Sequence, residues 1–186
     1  MGKLDVLNKS KDWIPYEYGN VLFRQPTSSG ERLVIGPSGG HGEVMLALAN
    51  TWGNQQFYVL YVLLISHSGA ETGRYQSPLI ECFEDLQAFF HTHQRFLESD
   101  GRDHIWIGSP SKDGLLVYDQ HNVIFAYGDL ARYEQILISR GFSRGEFWFP
   151  VPHSHSYPTT NIQCEEELLR HFAWQRSPLQ EGDEWD

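Results

Sequence analysis

Residues His104–Phe149, HIWIGSPSKDGLLVYDQHNVIFAYGDLARYEQILISRGFSRGEFWF, read almost without interruption as strand, turn, strand, turn, strand, helix, strand. Ile105 and Ile107 alternate with other residues, and Ser109–Gly114 (SPSKDG) is turn chemistry ending in Asp-Gly. Leu115–Tyr118 is a short apolar run. Gln120-His121-Asn122 turns it into Val123–Tyr127, which is β-branched and aromatic. Asp129 then has the chemistry of a helix N-cap. Leu130, Tyr133, Ile136 and Leu137 make the apolar stripe, and Gly141 ends the helix. The stretch predicts a three-stranded antiparallel meander followed by a helix and one more strand.

Working towards the N-terminus, Phe83–Glu98 is the clearest helix. Phe83, Leu86, Phe89, Phe90, His93, Phe96 and Leu97 recur at helical spacing, opposite Glu84, Asp85, Gln87 and Gln94. Phe57–Ile65 reads as a central strand, because it is apolar on both faces and rich in Val and Tyr. Glu43–Trp52 is a further helix, and Arg32–Gly36 a strand. The polar segment His67–Pro78 reads as a long loop, and Pro150–Thr160 as too proline-rich for a ladder strand. Glu165–Trp174 reads as a last helix, and Ser177–Asp186 as an acidic tail that frays. Residues 1–30 contain one candidate strand at Val21–Phe23. The expectation is a single α+β domain over residues 1–176. Its mixed, largely antiparallel sheet would have about six strands, with three to four packed helices. Two strand–helix–strand crossovers fit the first half of the chain. The regular βαβ alternation of a doubly wound sheet is missing.

Composition narrows function. The 186 residues carry a net charge of −10, which disfavours nucleic acid and anionic membranes, since both need clustered Lys and Arg. A basic protein partner is compatible with this charge, as is plain solubility. Cys82 and Cys164 are too few and too far apart for a disulfide framework or a zinc knuckle. The first residues, MGKLDVLNKSKDW, lack the apolar run of a signal peptide, so a cytoplasmic protein is expected.

Three groups of residues could carry chemistry. Ser38, Gly39 and Gly40 lie between a strand and a helix, where backbone N–H groups can hold an anion. However, no Gly-Lys-Ser/Thr follows, Glu43 would repel phosphate, and a glycine-permitted turn is the simpler reading. Arg74 and Tyr75, in the polar loop, could clamp a carboxylate or a protein partner, or simply pair with a nearby acid such as Glu71. Asp119 and His121, with His153 and His155, supply the ligand types of a Zn²⁺ or Fe²⁺ site. Each pair is two residues apart, so its members share a face if the chain is extended. Tyr157 would shield one side, and Arg74 could orient an anionic substrate. Against this, Asp119 suits a hairpin turn, His153 and His155 suit a polar surface loop, and sequence does not tell whether the pairs meet. No Gly-x-Ser-x-Gly elbow, HExxH helix or cysteine nucleophile motif is present.

Val117–Gly128 (VYDQHNVIFAYG) followed by DLARYEQILISRGF resembles the hairpin–helix unit of small bacterial α+β proteins, some of them immunity proteins of toxin systems. The run PVPHSHSY accompanies that pattern. The resemblance covers a minority of the chain and brings no catalytic residues with it. It implies a bacterial, cytoplasmic protein with a non-enzymatic binding role. The leading expectation is therefore an acidic, immunity-like protein-binding module without a cofactor. The alternative is a metal-dependent enzyme built on Asp119, His121, His153 and His155.

Overall fold

A computed structural model describes residues 2–53 and 56–183. In chain order the strands and α-helices are β1 (Leu4–Leu7), β2 (Trp13–Pro15), β3 (Val21–Thr27), β4 (Gly30–Gly36), α1 (His41–Ala49), β5 (Tyr58–Leu63), β6 (Gly73–Gln76) and α2 (Phe83–Leu97). They continue as β7 (Asp103–Gly108), β8 (Gly114–Tyr118), β9 (Ile124–Gly128), α3 (Leu130–Ser139), β10 (Ser143–Arg144), β11 (His153–His155), α4 (Ile162–His171) and β12 (Gln175–Ser177). The class is α+β.

Among the described residues the main sheet has nine strands rather than six, in the order β10-β3-β4-β9-β8-β7-β5-β6-β12. A second sheet has three, β11-β1-β2. The surplus comes from segments without a clear period. The N-terminal thirty residues supply β1, β2 and the extension of β3 beyond Phe23, the polar segment 67–78 contains β6, the proline-rich segment contains β11, and the segment after the last helix contains β12. Proline excludes a residue from donating to a ladder but leaves a short edge strand between prolines free. His153, Ser154 and His155 pair with Val6, Asp5 and Leu4 in such an edge position. The last helix begins at Ile162, three residues before Glu165.

The meander β7-β8-β9, helix α3 and strand β10 follow the reading of residues 104–149. Asp129 Oδ1 accepts the Arg132 N–H at 3.1 Å as N-cap, and Gly141, at φ 88°, lies just past the end of α3. Two strand–helix–strand crossovers are present in the first half, β4-α1-β5 and β6-α2-β7. Successive antiparallel pairings leave β4 parallel to β5 and β6 parallel to β7, with other strands between the members of each pair. Every pairing in the main sheet is antiparallel except the short β10–β3 contact. Three strands separate β4 from β5, and β6 and β7 flank β5 from opposite sides.

Alternation divides the sheet into two faces. Leu33, Ile35, Val59, Tyr61, Ile105, Ile107, Leu116, Tyr118, Ile124 and Ala126 pack with Met45, Leu48, Leu86, Phe89, Tyr133, Leu137 and Leu168 of the helices in one core. Their neighbours Val34, Val117, Phe125 and Tyr127 point the other way and form a smaller cluster with Tyr18 and Phe147. Among the described residues no helix contributes to this second cluster, and the candidate site opens on that face.

The C-terminal segment is held. Strand β12 pairs with β6, and Gln180 and the buried Asp183 bind Arg74. The remainder of the expected tail, residues 184–186, lies outside the described residues. No helix among the described residues is long and apolar enough to cross a membrane.

Candidate metal centre

The β8–β9 turn is built by one carboxylate. Asp119 Oδ1 accepts the backbone N–H groups of His121 at 2.9 Å and Val123 at 3.1 Å, and Oδ2 accepts His121 Nδ1 at 3.0 Å. Asn122 takes the left-handed conformation at φ 61°, where its side chain accepts the Tyr118 hydroxyl at 2.9 Å. Burial pushes the Asp119 pKa up, but the hydrogen bond from His121, the charges of His121 and His104 and the Val123 N–H outweigh it. The pKa is lowered and the group stays ionised.

Strand β11 brings the other two imidazoles. Alternation puts His153 and His155 on the same side, with Ser154 pointing away and exposed. Gly101 makes the close approach possible. A Cβ there would lie 2.8 Å from His155 Cβ and 3.0 Å from the Lys3 carbonyl oxygen. The Gly101 N–H donates to Ser156 O at 2.9 Å, and the Ser156 N–H donates to Lys3 O at 2.8 Å.

The two histidine motifs therefore meet. Ring centroids are 5.4 Å apart for His121–His153, 4.9 Å for His121–His155 and 5.6 Å for His153–His155. One nitrogen from each ring lies within 4.8 Å of the other two. Zinc–nitrogen bonds of about 2.1 Å at tetrahedral angles would put the three nitrogens roughly 3.4 Å apart, so a bound ion would need the rings to close by about 1.4 Å at most.

The hydrogen bonds fix the tautomers. His121 Nδ1 faces the Asp119 carboxylate, His153 Nδ1 faces Pro150 O at 2.9 Å, and His155 Nδ1 faces Gln120 O at 3.2 Å. All three partners only accept, so each Nδ1 carries a proton, and in the neutral ring Nε2 is the atom left with a lone pair. This second-shell pattern is the one that metal-ligating imidazoles use. Burial, helped by the charges of His121 and His153, lowers His155 to about 4, so its ring is neutral at pH 7.

Asp119 sits behind His121 rather than among the ligands, its oxygens occupied by three N–H groups. Phe149, 5.4 Å from His121, is the aromatic ring against the cluster. Tyr157 is 43% exposed and makes no ring contact with it among the described residues. Beside His121 a cavity of about 510 Å³ opens on the second sheet face, walled by Phe23, Arg32, Val34, Phe125, Phe147 and Phe149. Arg32 lies 4.1 Å over the Phe125 ring. It donates through Nε to Gln25 Oε1 at 2.7 Å and through Nη1 to the Tyr127 hydroxyl at 2.9 Å.

The other sequence candidates lie elsewhere. Arg74, on β6, donates to Asp183 and to Gln180 at 2.6 Å and stacks 5.0 Å over Trp106, so it is already engaged away from the histidines. The Tyr75 hydroxyl donates to the Glu71 carbonyl, and its ring packs on Tyr61. Ser38 donates through N and Oγ to Asn20 Oδ1 at 2.8 and 3.1 Å, and Gly40 takes φ 64° to enter α1. The Gly42 N–H donates to Glu98 Oε1 at 2.9 Å, so a carboxylate already occupies this helix start. Sequence reading passed over Arg32. Its alternation with Leu33 was visible, but the face it occupies depends on where the helices pack.

Comparison of the chain with protein-family models, with curated proteins and with solved structures gives no match.

Proposed function

We propose that the protein is a metal-dependent enzyme with His121, His153 and His155 as the ligands of one Zn²⁺ or Fe²⁺ ion. The observation that carries this reading is the set of three convergent imidazoles whose Nδ1 atoms all face pure acceptors. A three-histidine site leaves a coordination position for water, whose pKa the metal lowers towards neutrality. Asp119 positions His121 through its hydrogen bonds to the ring and to the turn backbone. Arg32, at the cavity wall, takes over the anion-orienting role first assigned to Arg74. A metal held there would supply an activated water, and the reaction class that fits is hydrolysis of a small anionic substrate held against the phenylalanine wall. The water oxygen bonds to the substrate, the scissile bond breaks, and the leaving group takes the proton of the water. Elemental analysis of the untagged protein tests this reading. We expect close to one zinc or iron per chain, lost in His153→Ala/His155→Ala. A metal-free protein whose melting temperature ignores chelator and added metal would remove it.

A second reading, the acidic immunity-like module, is supported by Trp148 and Val151, which are 73% and 86% exposed in the loop leading to β11. Exposed large apolar side chains of this kind mark contact surfaces. A basic protein captured from source-cell extract and lost with Trp148→Ala would put this reading first.

A further inference from the structure

A second, narrower cavity of about 140 Å³ lies on the same sheet face, and Arg32, Asp119 and Phe125 line it as well as the first. The two form one cleft running from His121 across the strands to β7. Its far end is walled by His104 and Trp106, with Gly182 of the docked C-terminal segment also present.

Two polar atoms there are shielded from solvent and without a hydrogen-bond partner among the described residues, His104 Nε2 and Trp106 Nε1. His104 is 1% exposed. Native proteins leave few buried polar groups unpaired, and two side by side on one cavity wall point to a ligand. The indole nitrogen can only donate. Burial, with Asp119 opposing and Lys3 reinforcing it, lowers His104 to about 4, so the ring is neutral, and in its Nε2–H tautomer it would donate to an acceptor in the cleft. Between the cavities, Arg32 makes no ion pair among the described residues, and its partners Gln25 and Tyr127 are neutral. The nearby Arg74 is neutralised by Asp183. The Asp119 carboxylate, also on the wall, is saturated by three N–H groups. The cleft therefore offers one guanidinium and two N–H donors at its narrow end and phenylalanine rings at its wide end.

We propose that this narrow end is a carboxylate subsite. Arg32, Trp106 Nε1 and His104 Nε2 hold the acid group of the substrate, and an apolar or aromatic body lies along Phe125 towards Phe147 and Phe149. The substrate class is a small aryl or alkyl carboxylic acid derivative whose reactive bond reaches the histidine cluster. Its catalytic meaning rests on the metal-centre reading, but the binding step does not.

The test titrates 3-phenylpropionate and its neutral amide, 3-phenylpropanamide, into the full chain. Calorimetry is paired with the indole N–H resonances of the six tryptophans. We expect the acid to bind at least tenfold tighter than the amide and to shift the Trp106 indole N–H downfield. Trp106→Phe, which keeps an apolar ring and removes the donor, should weaken the acid about tenfold, the size of one charge-assisted hydrogen bond. Arg32→Gln should weaken it by at least as much. Binding and the Trp106 shift should persist in His153→Ala/His155→Ala, or in chelator-treated wild type where that variant fails to fold. Equal affinity for acid and amide, an unchanged Trp106→Phe, absence of binding in the millimolar range, or binding only with metal present would overturn the subsite. A protein that holds the acid at Trp106 but takes up no metal would keep the subsite and remove the metal reading.

Discussion

Asp119 Oδ2 accepts a hydrogen bond from His121 Nδ1 at 3.0 Å, while Oδ1 of the same carboxylate ties the backbone of the turn that carries His121. One buried group thus sets the loop, the tautomer and the direction of a candidate ligand. Asp119→Asn should lower zinc affinity by about 10–100-fold, the usual cost of losing an outer-shell partner. Competition against a chromophoric chelator measures this. An unchanged affinity would show that His121 does not depend on Asp119.

Gly101 leaves no room for a methyl group between His155 and the Lys3 carbonyl. Gly101→Ala should push β11 outward and cost about 1–3 kcal/mol of stability, as overpacking does. The same shift separates His155 from His121, so metal affinity should fall with it. Urea denaturation with and without zinc gives both numbers. A fully stable variant that binds metal like wild type would mean that β11 can move without cost.

Lys3 is fully buried, with Nζ 2.8 Å from Asp103 Oδ1, 3.1 Å from Asp103 O and 4.4 Å over the Tyr118 ring. Removing one partner of a buried pair leaves the other charge uncompensated. Lys3→Met should destabilise the fold by about 3 kcal/mol and loosen the neighbouring β1–β11 pairing. Lys3→Met with Asp103→Asn should recover part of the loss. A single variant as stable as wild type would contradict the pairing.

Stability should fall as pH drops from 6.5 to 4. Burial is the first cause lowering His41, His93, His104 and His155 to about 4, with nearby positive charge, from Lys3 or neighbouring histidines, adding to it in each case. In that window the unfolded chain takes up protons that the folded rings refuse, so ν_U exceeds ν_N and the slope with pH is positive. Asp103 opposes this. Its pKa is raised to about 6, mainly by burial and against the pull of Lys3, so the folded state binds its proton first between 3.8 and 6. Four histidines against one carboxyl give a net loss. Urea midpoints at pH 7 and pH 5 check it, and a higher midpoint at pH 5 would reverse the sign.

Local sequence determined the meander, α2, α3 and the turn at Asp119–Asn122. Apolar period, caps and left-handed positions all act within a few residues of each other, so they are legible one segment at a time. It also supplied Asp119, His121, His153 and His155 as ligand types at alternating spacing. Only the tertiary structure decided whether the two pairs meet. Their approach depends on β1 pairing with β11, on the small Gly101 at the contact and on Lys3 anchoring the N-terminus a hundred residues away at Asp103. None of these leaves a periodic trace, because each is a single long-range contact. The same holds for Arg32, His104 and Trp106. Strand alternation sets which side chains share a face, but the four helices decide which face is core and which is cleft.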